Sequence, residues 1–404
     1  MKEIKKIGLF GLGGINWIGG VQYITNIIHA LDSISDEHPV EIHLIKASKQ
    51  NFFDIDKFTG NKIVLEDIDT IFPPWSFSNR LRWFLKRKFL NRLIPRTEEF
   101  FLNNGYDFVY PHTTSDCDGK LNTAAWIADF QYYHYPDGAS KEFTQAAHDE
   151  ISQIAAISSK IVLSSKACEI DCNTIFPGTV GKTHCMPFTV FIDKNLLAFD
   201  NFKAITEKYR IPENFVVVSN SFCPTKNHKT LLEALSILGD QGIRIDLVCT
   251  GNIVDQRNLH FANETLQTIN RFKVRSQVHL LGIIPREDQV ALFRMAKSVI
   301  QPSLNEGWST SVEEAKCLGK ALVVSDIDVH KEQTPGNPYL FRRLDAADLA
   351  EKLKAAWMAG ASTVYPQKEV EKADYAAYQQ QVKDFGKRFL QVAAAGNRHN
   401  STKR

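Results

Sequence analysis

Short apolar runs rich in β-branched residues alternate with stretches whose apolar positions recur at helical spacing along most of this chain. That alternation predicts an α/β class built from parallel sheets. In the first half the predicted strands are 4–9, 40–45, 107–110, 124–128, 161–163 and 183–186. A second series, 215–218, 243–249, 278–281, 298–300 and 321–324, follows with amphipathic segments such as 229–238 between its members. Two series predict two Rossmann-like doubly wound domains, 1–190 and 200–365. The stretch 187–198 has no clear period and is the predicted linker, and a last helical pattern occupies about 370–392. Such domains bind ligands outside the carboxyl ends of their strands, so two of them facing each other across a cleft would carry the chemistry in strand-to-helix loops.

Composition narrows the class further. A chain of 404 residues is too long for one core, and 44% hydrophobic with 23% charged residues is ordinary soluble usage. Lys and Arg number 48 against 46 Asp and Glu, so the net charge of +2 gives no support to a nucleic-acid partner and leaves only local electrostatic targeting. Seven cysteines (Cys117, Cys168, Cys172, Cys185, Cys223, Cys249, Cys317) without a CxxC pair suggest neither a disulfide framework nor a zinc ribbon, and they point to a reducing, cytoplasmic setting. The apolar stretch after the N-terminal lysines is interrupted by glycines and reads as a first strand rather than a signal peptide. No run approaches the roughly 18 apolar residues of a membrane span. The polar tail 396–404 is expected to fray.

The most informative segment runs from Val299 through Glu306, Gly307 and Ser311 to Glu314, and is predicted as a strand, a loop and a helix start. Ser311 and Glu314 fit a capping box, which would give Glu314 a purely structural task, whereas Glu306 beside Gly307 has no capping role. Ser309, Thr310 and Ser311 at the helix start offer N–H groups and hydroxyls to an anion. A second such start follows Lys226, with Thr230 and Glu233 as another possible capping box. Two anion-friendly helix starts on one sheet favour a diphosphate between them, with Lys226 as the point charge.

These segments, EGWSTSVEEA, PTKNHKTLLEAL, HLLGIIPREDQVALFRMAKSVIQPS and SDIDVHKEQ, together resemble family 4 of the retaining, nucleotide-sugar-dependent glycosyltransferases, glycosyl transferases group 1, with the GT-B architecture. Near the N-terminus Gly19-Gly20-Val21, ahead of a predicted helix 22–31, is similar to that family's glycine loop. The resemblance implies that Glu314 holds the donor ribose, Lys226 faces the diphosphate and Glu306 lies by the donor sugar. It also implies that Gly282 and Ile284 meet the base through backbone groups, and that Gly20 lets the main chain approach phosphates or acceptor. Gly307, Thr310 and Ser311 complete the expected donor site, Asp129 is the expected catalytic carboxylate of the N-terminal half, and 366–395 is expected to cross back towards that half.

Two positions depart from the family pattern. Ser221 stands where the family has an Arg five residues before the lysine, and Ala128 stands before Asp129 where the family has a His. His112 or His134 is a candidate to fill the latter gap. The rival fingerprint Gly11-Leu-Gly13-Gly14-Ile-Asn16 would suggest a dinucleotide-dependent oxidoreductase, but Asn16 replaces the third glycine. A non-catalytic nucleotide- or sugar-binding protein of the same fold is the other alternative.

No cofactor or metal is expected, since the Asp-x-Asp pairs Asp54/Asp56, Asp67/Asp69, Asp116/Asp118 and Asp326/Asp328 are as frequent as chance predicts. The expected partners are a nucleotide-sugar donor and a saccharide or lipid-linked saccharide acceptor. The run 80–96, RLRWFLKRKFLNRLIPR, has seven basic residues (Arg80, Arg82, Lys86, Arg87, Lys88, Arg92, Arg96), no acidic one, and Leu81, Leu85, Phe89 and Leu93 every four residues. It fits either a peripheral helix on the anionic inner face of the cell membrane or a helix packed on the sheet with its basic face in water.

Overall fold

A computed structural model describes residues 3–14, 17–47, 53–71, 96–111, 121–138, 140–253, 261–360 and 368–395. In the N-terminal half, β1 (Lys6–Phe10), β2 (Glu41–Lys46), β3 (Lys62–Asp67) and β4 (Phe108–Tyr110) form a parallel sheet in the order β3-β2-β1-β4. Next come β5 (Ala125–Ile127), β6 (Ile161–Leu163) and β7 (Thr183–Cys185), parallel in that order, and a parallel bridge from Val109 to Thr123 links the two sets. The C-terminal half holds β8 (Val216–Ser219), β9 (Leu247–Thr250), β10 (Val278–Gly282), β11 (Ser298–Gln301), β12 (Ala321–Ser325) and β13 (Leu340–Phe341). Its order is β10-β9-β8-β11-β12-β13, all parallel, which is the doubly wound order with a switch point between β8 and β11. The central strands are buried on both faces, which is why they read as unbroken apolar runs.

Three expectations change. β3 escaped the pattern because it is a partly exposed edge strand, Lys-Ile-Val-Leu-Glu-Asp, that ends on charges. The strand expected at 243–249 begins only at Leu247: Ile243 N–H bonds to Leu238 O at 2.9 Å and Gly242 adopts φ +74°, so these residues close the preceding helix. The first helix runs Ile18–Asp32, so Gly19 and Gly20 lie inside its first turn rather than ahead of it. A Cβ on Gly20 would lie 2.9 Å from Gly13 N and 3.0 Å from Cε3 of Trp17, and the bare backbone lets the helix start close over the loop after β1.

One apolar cluster runs from Ile7 and Leu9 through Met186, Phe188, Val190 and Ile192 to Phe215 and Val217, and on to Phe385 and Phe389. The stretch between the two sheets is therefore packed although it lacks a period. Its N–H groups find side-chain acceptors, Phe191 N–H on Asn26 Oδ1 at 2.7 Å and Val190 N–H on the Tyr378 hydroxyl at 3.0 Å. The last helix, Lys368–Ala394, straps the halves together. Near its start Glu371 pairs with the buried Arg294 (Nη2–Oε2 3.0 Å), whose Nη1 also donates to Leu196 O and Phe199 O. Further on, Gly386 touches the first helix, where a Cβ would sit 2.4 Å from Ala30 O, and at its end Lys160 Nζ donates to Val392 O and Ala395 O.

Removing one partner of a buried ion pair costs more than the pair contributes, because the remaining charge loses its compensation. Glu371→Gln should lower stability by about 3 kcal/mol, read as a lower midpoint in urea, and the double variant Glu371→Gln/Arg294→Met should recover part of the loss. Additive losses would show that the pair is not coupled.

Candidate functional site

Strands β8 and β11 lie side by side with the sheet order diverging on either hand, and the loops that leave their carboxyl ends share one crevice. The loop after β8 makes a short turn, Pro224–Lys226, and Asn227 follows it at φ +53°. Asn227 Nδ2 donates to Pro302 O (3.1 Å) and Arg343 O (2.7 Å), while Leu304 N–H bonds to Thr225 O at 2.8 Å, so the two loops are zipped together. This zipper brings Lys226 Nζ to 2.5 Å from Glu306 Oε1, which also accepts from Gln301 Nε2 at 2.7 Å. Burial works against the charge on each, but their mutual attraction wins: the Lys226 ammonium is held above its ordinary range and the Glu306 carboxyl below its own.

The N-terminal half faces this pair through the loop after β5. Asp129 accepts from Gln131 N–H at 2.9 Å, and its charge adds to the field that keeps Lys226 protonated. Gly307 lies against the same loop: a Cβ there would sit 1.7 Å from Ala128 O, so glycine is required by the close approach of backbone to backbone. His330 also belongs here, completely buried and feeling both Glu306 and Lys226. Ser325 Oγ donates to Ser303 O, and the Ser325 carbonyl can only accept, so His330 Nδ1 carries the proton it shares with Ser325. Burial lowers its pKa to about 4, which makes the ring neutral near pH 7.

Deeper in the crevice, Glu314 is buried and pairs with Arg286 (Nη1–Oε1 2.5 Å). Arg286 Nη1 donates to Gln289 Oε1 (2.9 Å), Gln289 Nε2 to Ser219 Oγ (2.7 Å), and Thr250 Oγ1 to the same hydroxyl (2.8 Å). Ser311 Oγ donates to Ser219 O at 2.8 Å, tying the helix Thr310–Cys317 to the end of β8. Neither of the two possible capping boxes forms. The N-cap is Ser309, which accepts from Val312 N–H, and Thr230 Oγ1 donates to Asn227 Oδ1 instead of capping a helix whose first residue is His228. Gly282, at φ +72°, ends β10, with its carbonyl accepting from Gly251 N–H and Ile284 half-buried beyond it.

Glu306, Lys226, Asp129 and Gly307 thus converge, and Glu314, Thr310 and Ser311 lie on the adjoining helix start. Gly20 is buried under Trp17 in the N-terminal half. His134 pairs with Asp171 at 2.8 Å, while His112 lies outside the described residues, as does the basic run up to its last residue, Arg96, which opens a helix. Of the Asp-x-Asp pairs, Asp326 accepts from Arg343, Asp328 from Lys331, and Asp67 from the N–H of Asp69. Among the described residues no group of three or more His, Cys, Asp or Glu is placed to hold a metal, and no helix is long and apolar enough to cross a membrane. Sequence reasoning missed Arg286, Gln301 and His330, although all three lie in or beside the segments that carry the resemblance.

Residues 201–373 match the family model for glycosyl transferases group 1. Among solved structures, Anabaena HepE in complex with UDP and glucose superposes with a TM-score of 0.65 at 15% identity, covering 97% of this chain and 100% of that one. The chain has the GT-B fold. A Rickettsia africae glycosyltransferase gives the same TM-score at 14% identity, over 97% of this chain and 98% of its own. Among curated proteins, the serotype-specific mannosyltransferase WbdA of Escherichia coli is 24% identical over 159 residues, 39% of this chain. The matched region spans 19% of that relative's length.

The pair at the GT-B switch point makes stability depend on pH at both ends. Glu306, with its folded pKa lowered, contributes fully above the ordinary carboxylate range, and that contribution fades as pH falls through the lowered value. Lys226, with its folded pKa raised, contributes below the ordinary lysine range and loses that contribution as pH rises through the raised value. Glu306→Gln should cost about 3 kcal/mol at neutral pH by stranding the ammonium, and should flatten the acid limb below about pH 5. Urea denaturation across pH checks this, and an unchanged acid limb would refute it.

Proposed function

We propose that this chain is a glycosyltransferase that moves a sugar from a nucleoside diphosphate sugar to an acceptor saccharide, with retention of configuration. The observation that carries the reading is the Lys226–Glu306 pair, partly buried at the switch point of the donor-side sheet, with Asp129 of the N-terminal half adding its charge. Lys226 faces the diphosphate and stabilises the charge that develops as it departs, with Glu306 beside the sugar ring. Glu314 takes the ribose hydroxyls, and Gly282 and Ile284 meet the base. Gly307, Thr310 and Ser311 line the start of the helix against the phosphates. Attack comes from the face the diphosphate leaves, and the departing phosphate takes the acceptor proton, so no metal is required. The group 1 match and a structural neighbour solved with UDP and glucose support the donor class. The likeness to a serotype-specific mannosyltransferase supports a role in bacterial surface polysaccharide or glycolipid synthesis. The basic, amphipathic pattern of 80–96 is the ground for adding a lipid-linked acceptor and contact with the inner membrane face to the proposal.

Ser221 and Ala128, in the places of a cation and a histidine, favour a second reading: a nucleotide- or sugar-binding protein of this fold without turnover.

A thermal-shift panel in EDTA with UDP, GDP, dTDP, ADP and NAD separates these readings. A ligand at 100 times its dissociation constant adds about 2.7 kcal/mol. Stabilisation by one nucleoside diphosphate names the base for a transfer assay, in which Glu306→Gln should lower turnover by about 100-fold or more. Binding without transfer or donor hydrolysis favours the second reading, loss of activity in EDTA counts against the metal-free mechanism, and stabilisation by NAD alone overturns the donor-site reading.

A further inference from the structure

The crevice at the carboxyl ends of β8, β10 and β11 holds two carboxylates, and each already has a cation. Lys226 is engaged by Glu306 at 2.5 Å, Arg286 is engaged by Glu314 at 2.5 Å, and Asp129 adds negative charge from the other domain. A nucleoside diphosphate brings two or more negative charges, which a site neutral or negative in sum does not attract. A cation must be released as the nucleotide arrives.

The Arg286–Glu314 pair is arranged for such an exchange. The Glu314 side chain is 4% exposed and that of Arg286 is 32% exposed, so the carboxylate is the enclosed partner while the arginine side chain reaches solvent. A carboxylate only accepts hydrogen bonds, and ribose hydroxyls can donate to it in the place the guanidinium occupies as its ion-pair partner. Once displaced, Arg286 remains next to Gln289, whose amide holds Ser219 at the end of β8. The loop there, Ser219-Asn220-Ser221, carries hydroxyl and amide groups and no charge of its own. The geometry points to Arg286 as a specificity-determining residue that yields Glu314 to the ribose and turns its guanidinium to the diphosphate. Binding is then an exchange of partners in which the nucleotide's sugar opens the ion pair and its phosphates collect the freed charge. This inference rests on the donor-site reading proposed above.

Isothermal titration with UDP or GDP, whichever stabilises the wild type, tests it against competition by the matching uncharged nucleoside, uridine or guanosine. Arg286→Gln should weaken the diphosphate by about 10- to 100-fold, the range of a charge-assisted contact, and leave nucleoside affinity unchanged or improved. Arg286→Lys, which keeps the charge but not the fork, should recover part of the diphosphate affinity and serves in its own right if the glutamine variant does not fold. A matching loss for nucleoside and diphosphate, as a merely structural role predicts, overturns the inference, and so does a loss below about threefold for the diphosphate. If the wild type binds none of the nucleoside diphosphates, the donor-site reading itself fails, a result distinct from either of these.

Discussion

A lysine and a glutamate held in contact and largely shielded from water set the terms for this site. Desolvation costs each ion several kcal/mol, and only close contact with further hydrogen bonds offsets it. Gln301 supplies a second donor to Glu306, and the Asn227 amide, bound to Pro302 O and Arg343 O, fixes the turn that presents Lys226. Those contacts exist because β8 and β11 are neighbours, a consequence of the β10-β9-β8-β11-β12-β13 order. The ordering of the sheet, the left-handed turn at Asn227 and the charge state of two side chains are therefore one linked constraint. A charged group held in place before any ligand arrives need not reorganise when charge develops beside it.

The same constraint reaches across the cleft. Gly307, one residue from Glu306, packs on Ala128, one residue from Asp129. On another side of the joint, Glu332 accepts from the N–H of Lys166 with both oxygens, at 3.0 and 2.9 Å, so a carboxylate of one domain meets the positive end of a helix, Lys166–Ile175, in the other. Trp308 Nε1 donates to Phe188 O at 2.9 Å in the stretch between the sheets. The strapping helix adds Tyr378, whose hydroxyl donates to Glu313 at 2.7 Å, next to the residue that pairs with Arg286. Any opening of the cleft must break contacts attached to the loops and helix starts of the site, so domain position and site geometry are coupled through covalent neighbours.

The buried parallel strands were legible because strands covered on both faces are apolar throughout, and the last helix because its period persists for many turns. β3 and β13 were not: one is a charged, partly exposed edge and the other only two residues long. In the site, Glu306 and Lys226 stood out because neither had a local structural task. Ser311 and Thr230 were misread because a capping spacing says which residues could bond locally, while each in fact reports a different geometry: Ser311 reaches another strand, and Thr230 reaches back to Asn227. Arg286 and His330 were hidden for a related reason. Their partners, Glu314 and the Ser325–Ser303 link, are set by tertiary packing, which no spacing within one segment encodes.

The charge inventory of the crevice ties the departures at Ser221 and Ala128 to its architecture. With a serine at 221, the end of β8 offers hydroxyls and amides, and Arg286 is linked to it by hydrogen bonds through Gln289. At 128 the contact is made by the backbone carbonyl, and because Gly307 has no Cβ the two loops close to direct contact. Serine at 221 leaves the end of β8 without a charge of its own, while the joint closes through the Gly307 backbone on the Ala128 carbonyl. For the proposed donor, a site with little net positive charge draws a diphosphate weakly from a distance, and a close joint that excludes water strengthens each electrostatic contact made on arrival.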